Sequence, residues 1–174
     1  RAFPKPTSPY GAAKLAGEAY CYAYYRSYGV DVRIARLFSV YGVGMRRFAI
    51  HDLIRKVQAN PLELEILGDG SQVRDYLYVD DAVRGLVTIA TSGTAGEDYN
   101  LAFGEPVRVV DLARLIAELM GHPAIRLKMT GQSFPGDTSR WYADITKIRG
   151  LGFSAHIPLE EGLRRTIAWM GSPT

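Results

Sequence analysis

The sequence predicts an α/β fold, in which strands and helices alternate along the chain. Two periodicities support this prediction, because apolar residues recur at helical spacing in some segments and at every second position in others. Glycine, proline and asparagine separate these segments, as expected at the ends of helices and strands. The 174 residues are 47% hydrophobic and 22% charged, which is the balance of a globular protein with an apolar core.

The first predicted element is a long helix, because Ser8 and Pro9 combine an N-cap serine with a proline in the first turn. Gly29 ends this helix, which carries six of the eleven tyrosines. Alternating apolar residues then predict a strand over 30–38. A helix is predicted next, from 48 to the Asn60-Pro61 stop, followed by a strand over 62–67, a turn at 68–71 and a strand over 76–79. Then come a helix over 80–91 capped by Asp80 and Asp81, a strand over 99–102, a helix over 110–120 and a strand over 125–129. The chain ends with a polar loop over 131–142, a short helix after Asp144 and a last helix over 159–170.

The charge pattern indicates which partners the chain is built for. The net charge is +3, and the basic residues are scattered, with only Arg46-Arg47 and Arg164-Arg165 adjacent. Nucleic-acid binding favours clustered basic patches, so we expect a small anionic ligand held by a few arginines instead. No apolar run approaches the length of about 20 residues that spans a bilayer. The first residues are not a signal peptide, so we expect no membrane partner and a cytoplasmic location.

Cysteine and histidine provide no metal site. The single cysteine, Cys21, cannot form an internal disulfide, and its apolar neighbours predict a buried structural thiol. The three histidines have no metal-ligand spacing, so no metal is expected.

Tyr10 and Lys14 form the sharpest local chemical signal. Residues four apart on a helix share one face. A phenol is a poor base at neutral pH, and a neighbouring ammonium favours its charged form. Such a pair can pass a proton to or from a substrate hydroxyl. The spacing alone, which is common by chance, favours an ordinary surface pair.

The surrounding segments change that interpretation. Together they resemble, in order, the extended short-chain dehydrogenase/reductases, which are NAD-dependent nucleotide-sugar epimerases and dehydratases. The matching segments are PYGAAKLAGE at 9–18, RLFSVYG at 36–42, GDGSQVRDYLYVDD at 68–81, YNLA at 99–102 and the region from PGD at 135–137 to AD at 143–144.

This resemblance implies the C-terminal part of a Rossmann-type doubly wound fold together with a small α/β substrate-binding domain. Residues 1–42 and 72–103 would be the remnant of the NAD-binding domain. Residues 43–71 and 104–174 would form the substrate domain for a nucleoside-diphosphate sugar. The implied cofactor is NAD, and NADP stays open.

The resemblance also implies roles for individual residues. Tyr10 would be the catalytic acid/base, and Lys14 would assist it by binding the nicotinamide ribose. Tyr10, Lys14 and Phe38 would contact the cofactor. Ser39 would lie beside the sugar, and Arg74 would bind the diphosphate, a task that suits a forked and permanently charged guanidinium. The alternative for Arg74 is a helix cap or a surface ion pair with the neighbouring Asp75.

Substrate contacts are also implied for Asp137 and Arg140, in the loop over the nucleotide end; for Arg140 an ordinary surface position is equally well supported. Three positions depart from the family pattern. Ser39 stands where many members have Asn, Val43 where Pro is usual, and Phe134 where Arg is usual. These changes leave the sugar and the nucleotide unassigned.

One expected motif is absent. The family binds NAD at a glycine-rich turn between a strand and a helix. The sequence contains no Gly-x-x-Gly-x-x-Gly, and Gly42-x-Gly44 and Gly68-x-Gly70 are lone turns. We therefore expect the N-terminal cofactor half to lie on a missing part of the same protein. The fragment alone would bind NAD weakly, be inactive and leave helix faces uncovered.

Two classes of function follow. The first is part of an NAD-dependent nucleotide-sugar 4-epimerase that acts through a transient 4-keto sugar, with a 4,6-dehydratase or a reductase of the same family as alternatives. The second is a non-catalytic binding or dimerisation module. In either class the tyrosine-rich helix over 8–28 would form a homodimer, since a large exposed aromatic face normally marks a partner surface.

Overall fold

The structure is a computed structural model that describes residues 5–132 and 138–171. Helices and strands alternate, as the sequence predicts. In chain order they are α1 (Pro9–Tyr28), β1 (Ile34–Leu37), β2 (Ser39–Tyr41), α2 (Phe48–Ala59), β3 (Glu63–Ile66), β4 (Val73–Tyr78), α3 (Val79–Ser92), β5 (Asp98–Leu101), β6 (Pro106–Arg108), α4 (Val109–Leu119), β7 (Arg126–Met129), β8 (Arg140–Trp141), α5 (Thr146–Arg149) and α6 (Leu159–Gly171).

Parallel pairing dominates the strands. β1 pairs with β5, β2 with β4, and β3 with β7, all in parallel. The beginning of β4 also pairs with β6, antiparallel, and with β8, in parallel. In these registers Ser39 lies opposite Tyr76, and Trp141 lies opposite Arg74. β4 therefore joins the strand that follows β1 to the chain segment around residue 140.

Helix α1 begins and ends where its capping residues predict. The Ser8 hydroxyl accepts a hydrogen bond from the Gly11 N–H at 3.1 Å, and Gly29 ends the helix at a φ of 66°, which favours glycine. Glu18 on this helix accepts hydrogen bonds from Arg36 of β1, which also donates to Asp98 at 2.7 Å. No residue of α1 is buried, so the expectation of an uncovered helix is confirmed.

Cys21 is exposed on α1, and the prediction of a buried thiol was wrong. The apolar neighbours of Cys21 indicated a core position, but they lie on the same uncovered helix. Local composition does not reveal whether a partner surface covers a helix.

Four features differ from the predicted elements. The strand expected over 30–38 is interrupted at Phe38, whose N–H donates to the Leu101 carbonyl before the chain leaves β5 for β4. Strand β8 lies within the expected 131–142 loop, and β6 was not predicted. Both are two or three residues long, so they depend on β4 as a partner. The N-cap of α3 is Tyr78, not the Asp80-Asp81 pair.

Asp81 has a different structural role. Its carboxylate is fully buried and accepts hydrogen bonds from the backbone N–H groups of His156 and Ile157, each at 2.9 Å, and from Arg84. Burial by itself raises the pKa of Asp81, but the guanidinium and these N–H groups outweigh burial and hold the pKa below its ordinary value. Asp81 thereby fastens the start of α3 to the segment that precedes α6.

Two apolar clusters form the core, and β4 takes part in both. Tyr76 and Tyr78 belong to the cluster beside α2, α4 and α6. Leu77, between them, belongs to the cluster beside α3 and β5. Because successive side chains of a strand point to opposite faces, β4 is a shared wall between the two clusters.

Candidate active site

A pocket of about 530 Å³ lies where β1 and β2 meet, between the start of α2 and the beginning of β4. A volume of this size suits a ligand larger than a simple hexose. Four predicted site residues line it, which are Tyr10, Phe38, Ser39 and Arg74. The other lining residues are Leu37, Val40, Tyr41, Met45, Phe48, Ala49, Ile50, Asp52, Leu53, Lys56, Glu65, Ile66, Leu67, Gln72, Tyr76, Val109, Gln132 and Trp141.

Tyr10 and Lys14 lie together at the first turns of α1. The Tyr10 side chain is 72% exposed, and the Lys14 Nζ atom lies 5.3 Å from the centre of its ring. The predicted pairing on one helix face is therefore present, with the ammonium over the ring. Lys14 is beside the pocket and does not line it.

Phe38 and Ser39 reach the pocket because they lie at the interruption between β1 and β2. The Phe38 ring packs against Trp141, with 5.7 Å between ring centres. Sequence reasoning missed Trp141, which reaches the pocket through the pairing of β8 with β4. It lies inside the 135–144 region matched by family resemblance, but the resemblance assigned it no role.

Arg74 is held in place by backbone oxygens. Its Nη1 atom donates to the carbonyls of Val73 and Thr138, both at 2.8 Å. This arrangement ties the guanidinium to the 138–141 segment at the pocket wall. A helix cap or a surface pair with Asp75 therefore does not describe its position.

Asp75 is buried instead. Its carboxylate accepts hydrogen bonds from the backbone N–H groups of Phe103 at 2.9 Å and Gly104 at 3.1 Å, with Ala143 at 3.5 Å. Burial raises the pKa of Asp75 above its ordinary value, although these N–H groups act in the opposite direction. The carboxylate joins two loops directly behind Arg74.

One other predicted substrate contact, Arg140, is not brought into the pocket. Arg140 is exposed on β8 and does not line it, since its neighbour Trp141 takes the inward position on the strand. Its role toward substrate stays a prediction. Asp137, like Phe134, lies outside the described residues.

Within residues 5–132 and 138–171, two buried polar atoms at the pocket have no hydrogen-bond partner. They are the Tyr76 hydroxyl and the Gln72 Oε1 atom, and both residues line the pocket. Sequence reasoning missed both side chains. The signal that could have found them is their spacing, since Arg74 and Tyr76 share one face of β4 and Gln72 stands two positions before Arg74, just before the strand begins.

The residues present fit one end of a dinucleotide. Tyr10 and Lys14 offer a phenol and an ammonium on an exposed helix face, and the Phe38 ring lines the same pocket as Tyr10, which suits a ribose and a flat nicotinamide. The sequence holds no glycine-rich turn for the pyrophosphate. Within 5–132 and 138–171, no cluster of His, Cys, Asp or Glu could hold a metal ion. No helix in those ranges is long and apolar enough to cross a membrane.

Comparison with known proteins identifies the family. Residues 1–102 match the NAD dependent epimerase/dehydratase family, and the chain belongs to it. It is 35% identical over 168 residues to a UDP-glucuronate 4-epimerase of Thermodesulfobacterium geofontis, covering 94% of this chain and 50% of that protein. It is 34% identical over 168 residues to a dTDP-glucose 4,6-dehydratase of Streptomyces griseus, covering 95% and 50%.

A solved structure agrees with the sequence matches. The chain superposes with a TM-score of 0.87 and 32% identity on the UDP-glucuronic acid 4-epimerase of Bacillus cereus in complex with UDP-glucuronic acid and NAD, covering 97% of this chain and 54% of that one. The predicted Rossmann-type α/β fold is confirmed, and the family is NAD-dependent. The chain spans about half the length of the curated relatives it matches.

Proposed function

We propose that this chain is the C-terminal, substrate-binding part of an NAD-dependent nucleotide-sugar 4-epimerase. The single observation that carries this proposal is the pocket, which collects Tyr10, Ser39 and Arg74 from three separate segments. A proton-transfer group and an anion-binding group in one cavity match a substrate with both a hexose and a diphosphate.

Tyr10 is the acid/base of the proposed reaction. Its phenolate takes the proton of the sugar's C4 hydroxyl, and its phenol returns a proton when the 4-keto group is reduced. The Lys14 ammonium lies 5.3 Å from the ring centre, on the same face of the helix as the phenol. Lys14 and Phe38 would hold the nicotinamide end of NAD, which when bound accepts a hydride from C4 and gives it back. Return to the opposite face of the sugar yields the 4-epimer.

Arg74 binds the diphosphate in this proposal. Its guanidinium is anchored through Nη1 to two carbonyls, so little side-chain freedom remains to be lost on binding. Ser39, one residue beyond Phe38, faces the sugar. Asp137 and Arg140 are proposed contacts at the nucleotide end.

A 4,6-dehydratase is the second candidate. The 34% identity to the Streptomyces griseus enzyme supports it as directly as the epimerase matches support the first. Both reactions begin with the same oxidation at C4. We favour the epimerase because it requires no additional acid to expel water.

Several wider features belong to the same proposal. The cofactor half is supplied by the remainder of a longer protein, the enzyme works in the cytoplasm, and a homodimer forms through α1. The exposed tyrosines of α1 support the last point. The same proposal divides the chain into a remnant of the NAD-binding domain, residues 1–42 and 72–103, and a substrate domain, residues 43–71 and 104–174.

Binding and turnover together test the proposal. Calorimetry of the purified chain with UDP-glucose and dTDP-glucose should show saturable binding to at least one. Arg74→Ala should weaken it by about 1.5–3 kcal/mol, the range of a charge-assisted hydrogen bond, whereas Arg108→Ala, at an exposed pair with Asp111, should not change it. In the NAD-containing enzyme, Tyr10→Phe should abolish turnover while the nucleotide sugar still binds.

Three results would contradict parts of the proposal. If the chain binds neither nucleotide sugar, the proposed substrate class is wrong. Equal effects of Arg74→Ala and Arg108→Ala would remove Arg74 from the site. Binding without turnover in a preparation that contains NAD would favour a non-catalytic module.

A further inference from the structure

The backbone at Phe48 has an unfavourable conformation. Its φ is 70°, and within residues 5–132 and 138–171 no other residue except glycine has a positive φ. In this region the Cβ atom of an L-residue is crowded by the neighbouring backbone, so a bulky side chain carries a free-energy cost that asparagine largely avoids. Gly42 and Gly44, in the loop that leads to Phe48, also have positive φ values, and glycine adopts them without this cost.

The side chain of Phe48 carries a second cost. Phe48 is 64% exposed, although its ring is entirely apolar. The Arg47 guanidinium lies 4.8 Å from the ring centre, a cation–π contact that leaves most of the residue in solvent. A small polar residue would suit both the backbone and the exposure better than phenylalanine. Two local rules are broken at one position, which is the pattern expected at functional sites.

Phe48 lies at the pocket. It is the first residue of α2, and it lines the cavity together with Met45 of the preceding loop and Asp52 one helical turn later. Arg46, in the same loop, lies 5.9 Å from the ring centre of Trp169 on α6, so the loop is tied to α6 close to the strained residue. Because Phe48 is both exposed and part of the pocket wall, a bound ligand can cover its ring.

We propose that Phe48 contacts the bound nucleotide sugar, and that a strained and exposed phenylalanine is retained at this position for that contact. The inference rests on the proposed function, and it adds an apolar contact to the phenol of Tyr10 and the guanidinium of Arg74. Covering the Phe48 ring removes apolar surface from water, which favours binding. No proton or charge has to move at this residue.

Replacing the ring by a residue that accepts a positive φ tests the proposal. Phe48→Asn should raise the melting temperature of the full chain by about 2–4 °C, because strain is relieved and little buried surface is lost. The same variant should weaken UDP-glucose binding about tenfold in calorimetry. A substitution that merely damaged the fold would lower both quantities, so opposite shifts are the signature of a ligand contact.

Two further variants separate the ring from the backbone. Phe48→Gly also removes the ring and should weaken UDP-glucose binding as much as Phe48→Asn does. Its gain in stability should be smaller, because glycine has more conformational freedom in the unfolded chain. Phe48→Tyr keeps the ring and should bind UDP-glucose more tightly than either of the other two variants.

Leu62→Asn is the matched control. Leu62 is 80% exposed, its φ is not positive, and it does not line the pocket. This variant exchanges an exposed apolar side chain for the same asparagine without relieving strain. It should therefore leave UDP-glucose affinity unchanged and should not raise the melting temperature.

The proposal is overturned if Phe48→Asn raises the melting temperature but leaves UDP-glucose affinity unchanged, because the strain would then serve only the loop connection. It is also overturned if Phe48→Asn and Phe48→Gly both lower the melting temperature, or if Phe48→Tyr binds as weakly as Phe48→Asn. If the folded wild-type chain binds neither UDP-glucose nor dTDP-glucose, the proposed function fails. Normal wild-type binding with insensitive Phe48 variants refutes the contact alone.

Discussion

Removing the Asp81 carboxylate tests how much its hydrogen bonds between the start of α3 and the segment before α6 stabilise the fold. Asp81→Ala leaves the backbone N–H groups of His156 and Ile157 without their acceptor, and Arg84 without the carboxylate, although Arg84 also donates to the Ser154 carbonyl. Each buried donor left unpaired costs about 1–3 kcal/mol. The Arg84 guanidinium that remains is 42% exposed, so the lost ion pair adds only about 0–1 kcal/mol. We expect a loss of about 3–5 kcal/mol in the free energy of unfolding, or about 6–20 °C in Tm for a domain of this size.

The expected loss depends on pH with a definite sign. The pKa of Asp81 in the folded protein is below its ordinary value, so its charged form stabilises the fold above about pH 4. This stabilisation disappears as pH falls through the folded-state pKa. The difference between wild type and Asp81→Ala should therefore be constant near neutral pH and should narrow below about pH 4.

Urea unfolding followed by circular dichroism at several pH values measures both quantities. The control is Asp111→Ala, which removes a carboxylate from an exposed pair with Arg108 at the same helical spacing. An exposed pair contributes about 0–1 kcal/mol, so the control should be nearly neutral. Equal losses in the two variants, or an Asp81→Ala loss that does not narrow in acid, would refute the explanation.

Three further predictions concern the pocket and its supports. Because burial raises the pKa of Asp75, wild type should gain stability relative to Asp75→Asn as pH falls from 7 toward 4, as measured by urea unfolding; a constant difference would contradict this. Gly68→Ala should lower the free energy of unfolding by more than about 1 kcal/mol and weaken UDP binding in calorimetry, because the added Cβ collides with Gln72. Gly121→Ala is the control: it also lies at positive φ but has open space around it, so it should leave UDP binding unchanged. Titration of the chain with NAD should show no micromolar binding, because the sequence has no glycine-rich turn.

Local signals in the sequence predicted the longer elements well. The ends of α1 follow from Ser8, Pro9 and Gly29, whose effects act within one helical turn. The apolar spacing of α4 and α6 likewise depends only on neighbouring residues. Strands β6 and β8 were beyond such reasoning, because they form only against β4 and carry too few residues for a periodic pattern.

The candidate site likewise contains some residues that the sequence predicted and others that it did not. Family resemblance placed Tyr10, Phe38, Ser39 and Arg74 near one another, and the pocket brings these four together. Trp141 was not predicted, because it reaches the pocket by pairing with a strand some 67 positions earlier. The exposure of Cys21 was misjudged for a related reason, since burial depends on what covers a helix and not on its composition.

The position of β4 between two apolar clusters affects how the protein can be re-engineered. Leu77 anchors one cluster while Tyr76 and Tyr78 anchor the other, within three consecutive residues. A chimera that exchanged only one of the two clusters with a relative would have to match side chains on both faces of this strand at once. Substrate preference is thus better altered by point substitution within the pocket than by transplanting a block of sequence.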